Sequence, residues 1–108
     1  MILLVTYDLK ARRDYSLFYS ALQQEGDWWH YLTNTWLLYT GRTPEDVATA
    51  LRPHMALGDL LLVVEIRDNF HGYLPKDAWD WIRARLDREA SGVPPFLRRM
   101  IPPPPRNA

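Results

Sequence analysis

The chain contains no cysteine, which excludes disulfides, thiolate metal sites and a catalytic thiol. It also lacks a long hydrophobic run. Its longest apolar stretches, residues 1–5 and 60–64, fall far short of the roughly 20 residues that cross a bilayer. Histidine occurs only at His30, His54 and His71, with no HxxxH or HExxH spacing, so a histidine-built zinc site has no support. No glycine-rich phosphate loop and no GxSxG turn is present, which removes nucleotide-fold and serine-hydrolase readings. An excess of either charge is missing too. The 13 basic and 13 acidic residues cancel, which argues against a uniformly basic nucleic-acid binder and a polybasic membrane anchor. The opening MILLVTYD has neither the basic nor the long apolar region of a signal peptide, so a soluble cytoplasmic protein without a membrane partner is expected.

What is present fits one globular domain: 108 residues, 47% hydrophobic and 24% charged. The zero charge is a cancellation. Residues 1–81 hold seven basic and eleven acidic residues (−4), and residues 82–108 hold six arginines and two acids (+4). Eleven of the thirteen basic residues are arginine, the side chain suited to bidentate carboxylate or phosphate contacts.

Residues 2–8 are apolar on both faces, the pattern of a buried central strand. A basic loop with Lys10, Arg12 and Arg13 follows, and Asp14 suits the cap of a helix reaching about Glu25, with Gly26 at the position that ends it. The aromatic stretch 28–40 reads as two strands joined at Thr33-Asn34, or as an aromatic loop followed by one strand. Thr43-Pro44-Glu45-Asp46 marks a helix start, with Pro53 ending that helix early. Residues 60–66 read as a strand apolar on both faces. A helix from Pro75 to about Glu89 comes next, and residues 92–108 form a proline-rich tail.

The expected order is β-α-β-β-α-β-α-tail. Its first six elements match an α+β, ferredoxin-like βαββαβ domain with an antiparallel sheet, over residues 1–91 with the added C-terminal helix. In that layout the strands lie in the order 4-1-3-2 and two helices cover one face. The third and fourth strands are apolar on both faces, so the second face needs a cover, either the last helix or a second copy. A homodimer is expected, with the last helix and tail reaching toward the partner.

The strand end Val5-Thr6-Tyr7-Asp8-Leu9, the basic loop, Gly26, Trp28-Trp29-His30-Tyr31-Leu32, Asn34-Thr35-Trp36-Leu37-Leu38 and Gly58-Asp59 before the last strand occur in an order that resembles the short bacterial SinR-family proteins. Those proteins in turn resemble the ferredoxin-like CRISPR-associated adaptation protein, the dimeric partner of the spacer integrase. The first resemblance covers roughly residues 2–82. It implies a metal role for Asp8: an aspartate at this place in the CRISPR-associated family binds a divalent cation at the dimer interface, and some members cleave RNA or DNA. Asp8 would then be ligand and catalytic residue, Mg²⁺ or Mn²⁺ the cofactor, and Lys10, Arg12 and Arg13 the holders of a phosphate backbone. The helix and proline tail depart from the extra strand with which that family commonly ends.

Each candidate also has a plain reading. Asp8 can cap or pair with the Arg12/Arg13 loop, and Asp59 can serve the turn alone. His30 suits a packed hairpin residue, or a general base if the hairpin folds beside Asp8. Trp28, Trp29, Tyr31 and Trp36 suit a core or interface, or the stacking of bases. Trp79 and Trp81 cannot both face inward, which leaves one for an interface. Two functions follow: a non-catalytic dimeric module binding nucleic acid or a protein partner through the basic last helix and tail in a defence setting, or a metal-dependent endonuclease using Asp8.

Overall fold

The computed structural model describes residues 1–91, without the side chains of Tyr31 and Ser91. The proline-rich segment 92–108, and with it the contact expected between tail and partner, lies outside the described residues. The elements are β1 (Ile2–Asp8), α1 (Ser16–Gln23), β2 (Asp27–Leu32), β3 (Thr35–Tyr39), α2 (Pro44–Leu51), a single 3₁₀ turn (Arg52–His54), β4 (Leu60–Ile66) and α3 (Lys76–Ser91). Among the described residues the architecture is α+β: one four-stranded antiparallel sheet in the order β2-β3-β1-β4, with three α-helices.

Local chemistry accounts for several boundaries. The Asp14 carboxylate accepts the Ser16 amide at 2.8 Å and so turns the chain into α1. The cap position itself falls to Tyr15, which makes no side-chain capping bond. Thr43 and Asp46 form a reciprocal capping box at the start of α2, with Pro44 at its first turn. The aromatic stretch forms two strands, and Asn34, the second residue of the turn between them, takes a left-handed conformation (φ 55°) that asparagine tolerates better than most residues. Gly26 follows a different logic from a helix-ending glycine. A Cβ built there would overlap the backbone carbonyl oxygen of Tyr39, so the glycine permits close approach of two chains.

Side chains of β1 divide between two cores. Leu3, Val5 and Tyr7 pack with Phe18 and Leu22 of α1, Val47 and Leu51 of α2, and Trp36 and Leu38 of β3. Ile2 packs on the other face with Trp29, Leu37 and, from α3, Ala78, Trp79 and Ile82. The last helix therefore lies across its own sheet, which answers which of the two expected covers it takes. Its far end is held by Arg85 and Arg88, whose guanidinium groups lie 3.5 and 3.7 Å from the Asp27 carboxylate of β2. Trp79 faces in and stacks on Phe70. Trp81 sits at the margin with the Arg85 guanidinium 4.1 Å over its ring, so a helix neighbour covers it.

The cover is partial. Across the second face the row nearest the hairpin runs Leu32, Thr35, Thr6 and Leu62, and beyond it Asp8 pairs with Leu60. No helix among the described residues crosses this half. Leu60, Leu62 and Leu32 remain 57%, 59% and 40% exposed. No helix among the described residues is long and apolar enough to span a membrane.

Candidate functional site

Asp8 ends β1 at the border of that uncovered half-face, beside a shallow depression of about 260 Å³ walled by Thr6, Tyr7 and residues 60–62. Its carboxylate is more than half exposed, and the nearest cation is the Lys10 ammonium at 3.8 Å. The pairing expected with Arg12 and Arg13 is thus taken by Lys10. Two exposed ions at this distance contribute little stability. Among the described residues no three His, Asp or Glu side chains gather as a cation cage. One carboxylate beside an ammonium is a poor ligand set for Mg²⁺ or Mn²⁺, so a single chain does not fit the ion that the resemblance implies.

Lys10, Arg12 and Arg13 point into solvent, yet their backbone is tightly held. Asp59, just before β4, accepts the Lys10 amide at 2.7 Å through Oδ1. Its Oδ2 accepts the Tyr15 hydroxyl at 2.7 Å and the Ala56 amide at 2.8 Å. Tyr15 in turn accepts the Ala11 amide at 3.1 Å, and the Arg13 guanidinium lies 5.4 Å from its ring centre. One carboxylate thereby ties the β1–α1 loop to the turn before β4. Burial alone would raise the Asp59 pKa, but the bonds from Lys10, Tyr15 and Ala56 outweigh it and hold the group below its usual 3.8. An open groove of about 680 Å³ between α2 and β4, walled in part by Arg52 and Met55, adjoins this anchor.

Asp59 and Tyr15 are the site residues that sequence reasoning missed. Gly58-Asp59 reads as an ordinary turn because its partners stand 49 and 44 residues away, a separation no local pattern reports. Asp59→Asn should lower the thermal midpoint by roughly 10 °C, since it weakens three charge-assisted bonds at a nearly buried position. The sign with pH follows from the depressed pKa. The ionised group stabilises the fold above 3.8, and that contribution is lost as the pH falls through its lower folded value. The difference in urea midpoint between the natural chain and the variant should therefore narrow as the pH drops from about 5 into the acid range. A difference that stays constant would show that Asp59 does not act as a carboxylate anchor.

The aromatic residues form a separate group on the helix-covered face. The ring of Trp36 stacks on His30 (4.2 Å between centres, 13° between planes) and lies 5.0 Å from Trp28. Its indole N–H donates to the Tyr7 hydroxyl at 2.9 Å, and burial pushes that phenol up to about 12. Burial lowers the His30 pKa. His30 and Asp8 lie on opposite faces, two strands apart, so the hairpin does not bring them together and a general base at His30 for Asp8 is ruled out. Trp29 and Trp36 are buried in the two cores, whereas Trp28 is 44% exposed. Compared with known proteins, the chain matches no family model, no curated protein and no solved structure.

Proposed function

We propose that the chain is a dimeric, non-catalytic module with a ferredoxin-like fold that binds nucleic acid through Lys10, Arg12 and Arg13, as a component of a CRISPR-adaptation-like or defence-related system. The strand order β2-β3-β1-β4, with α1 and α2 on one face, supports the fold name. The resemblance to SinR-family proteins supplies the setting. The observation that carries the reading is the pinned basic loop. Its three cations are exposed while its backbone is fixed by Asp59, so phosphate contact costs little ordering of the chain. The other candidate surface, the basic last helix, directs Arg85 and Arg88 at Asp27 of its own sheet.

Fluorescence anisotropy with single-stranded and duplex oligonucleotides at 50 and 200 mM salt tests this. The triple variant Lys10→Ala, Arg12→Ala, Arg13→Ala should bind at least about tenfold more weakly, and its slope of log affinity against log salt should fall by roughly 2 to 3. Unchanged affinity and slope would discard the loop as the contact. The position of Asp8, exposed at the strand end beside the basic loop, favours one second reading, a metal-dependent endonuclease in which carboxylates from two copies converge on the ion. Adding Mg²⁺ or Mn²⁺ to the same samples decides between them. Strands that stay intact keep the binding reading, whereas cleavage that disappears with Asp8→Ala establishes the nuclease.

A further inference from the structure

We propose that the nucleic acid held by the basic loop is single-stranded, and that the strand continues from the loop into the groove between α2 and β4, where Arg52 takes a further phosphate and unpaired bases pack on the apolar wall. This rests on the nucleic-acid reading above and names the form of the ligand and a second part of its site.

The loop and the groove meet at one side chain. Asp59 lines the groove, and its carboxylate accepts both the Lys10 amide of the loop at 2.7 Å and the Ala56 amide of the turn after α2 at 2.8 Å. The loop that carries Lys10, Arg12 and Arg13 thus starts at the edge of the groove. Arg52 stands exposed in the groove wall, and among the described residues no carboxylate pairs with it.

Charge complementarity selects a polyanion. At this end of the sheet four cations, Lys10, Arg12, Arg13 and Arg52, stand against three carboxylates, and each carboxylate is engaged. Asp8 lies 3.8 Å from the Lys10 ammonium, Asp14 accepts the Ser16 amide, and Asp59 accepts its three bonds. Arg13 lies over the Tyr15 ring, whereas Arg12 and Arg52 have no such partner among the described residues. The other described residues hold six cations against ten carboxylates, so a polyanion is repelled elsewhere and accepted here.

The wall selects a single strand. Beside Arg52 it is built from Ala48, Pro53, Met55 and Leu61, which offer van der Waals contact and no side-chain hydrogen bonds. A paired base is stacked inside its duplex and cannot reach such a wall, whereas an unpaired base can. At about 680 Å³ the groove has the size of a small-molecule cleft, which admits nucleotides in turn and not a duplex.

Fluorescence anisotropy at about 50 mM salt compares one labelled strand with its duplex, and circular dichroism verifies that each variant folds. The strand should bind at least about tenfold more tightly than the duplex. Arg52→Ala should weaken strand binding about fivefold and lower the slope of log affinity against log salt by about 0.7, the value for one phosphate of a single strand. Thr49→Glu, which puts a carboxylate at an exposed position of the groove wall, should weaken it about tenfold. Arg67→Ala removes a cation beyond the far end of β4 and should leave the affinity unchanged. Equal affinity for strand and duplex, or Arg52 and Thr49 variants that match Arg67→Ala, overturn the groove and leave the loop reading to its own triple variant. Displacement of the strand by poly-glutamate as readily as by unlabelled strand overturns the base contact. A natural chain that binds neither strand nor duplex overturns the groove and the nucleic-acid reading together.

Discussion

Trp36→Ala should lower the unfolding free energy by about 4 kcal/mol, within the range for deleting a buried indole. Trp36 is 3% exposed and touches β1, β2 and α1 at once. Its ring carries His30 and Trp28 of β2, approaches Tyr19 of α1 at 6.4 Å, and gives Tyr7 of β1 a hydrogen bond. Truncation leaves a cavity between helix and sheet and a buried phenol without its donor. A domain of this size is typically stable by about 5–10 kcal/mol, so the loss is a large share of the whole. Urea titration followed by far-ultraviolet circular dichroism measures it. Trp36→Phe keeps a ring and loses the N–H, and should cost less than half as much. A cost for the alanine variant below about 2 kcal/mol would mean that the aromatic stack is not what holds β2 to the sheet.

Gly26→Ala should destabilise by about 3 kcal/mol or more, although it adds a single methyl group. The new Cβ falls on the Tyr39 carbonyl oxygen and also meets the Thr40 Cβ at 3.3 Å. Neither obstacle is the tip of a flexible side chain. Relief requires moving the start of β2 away from the end of β3, and Asp27, the first residue of β2, is the acid that Arg85 and Arg88 of α3 approach. The effect should therefore reach α3. Its amides should exchange with deuterium faster in the variant, in step with the loss of global stability. A variant as stable as the natural chain would show that the β2–β3 junction yields easily. Gly41, where an added Cβ meets nothing, is the control: Gly41→Ala should be nearly neutral.

Much of the fold was legible because it depends on neighbours in the chain. Double-sided apolarity placed residues 2–8 inside the sheet, and β1 does run between β3 and β4. Thr43, Pro44 and Asp46 spelled out a helix start, and Thr33-Asn34 a turn, since capping and turn chemistry act over three or four residues. Asp8 and the basic loop were legible as a strand end followed by cations. What the loop is fastened to was not, because Asp59 reaches it from the far side of the chain.

Strand alternation breaks at one point. Between Trp29 and Leu32 the β2–β3 register shifts, so His30 and Tyr31 together stand opposite Trp36. The extra residue moves Leu32 to the face of Thr35 and Thr6, where alternation from Trp28 and His30 would have put it on the other. The open half-face gains an apolar residue in this way, and its extent is not countable from the sequence.

By itself, then, the sequence determined the order of the elements outside the aromatic stretch 28–40, the central position of β1, the double-sided apolarity of β4 and the absence of cysteine. Those properties follow from periodicity, capping and composition, which are local. The tertiary structure alone decided that α3 covers its own sheet and only half of one face, that Asp59 anchors the basic loop, that Gly26 serves a close approach, and that His30 and Asp8 are apart. Each of these depends on which distant segments meet, and that is set by burying two apolar faces at once, a condition on the whole chain that no short stretch of it contains.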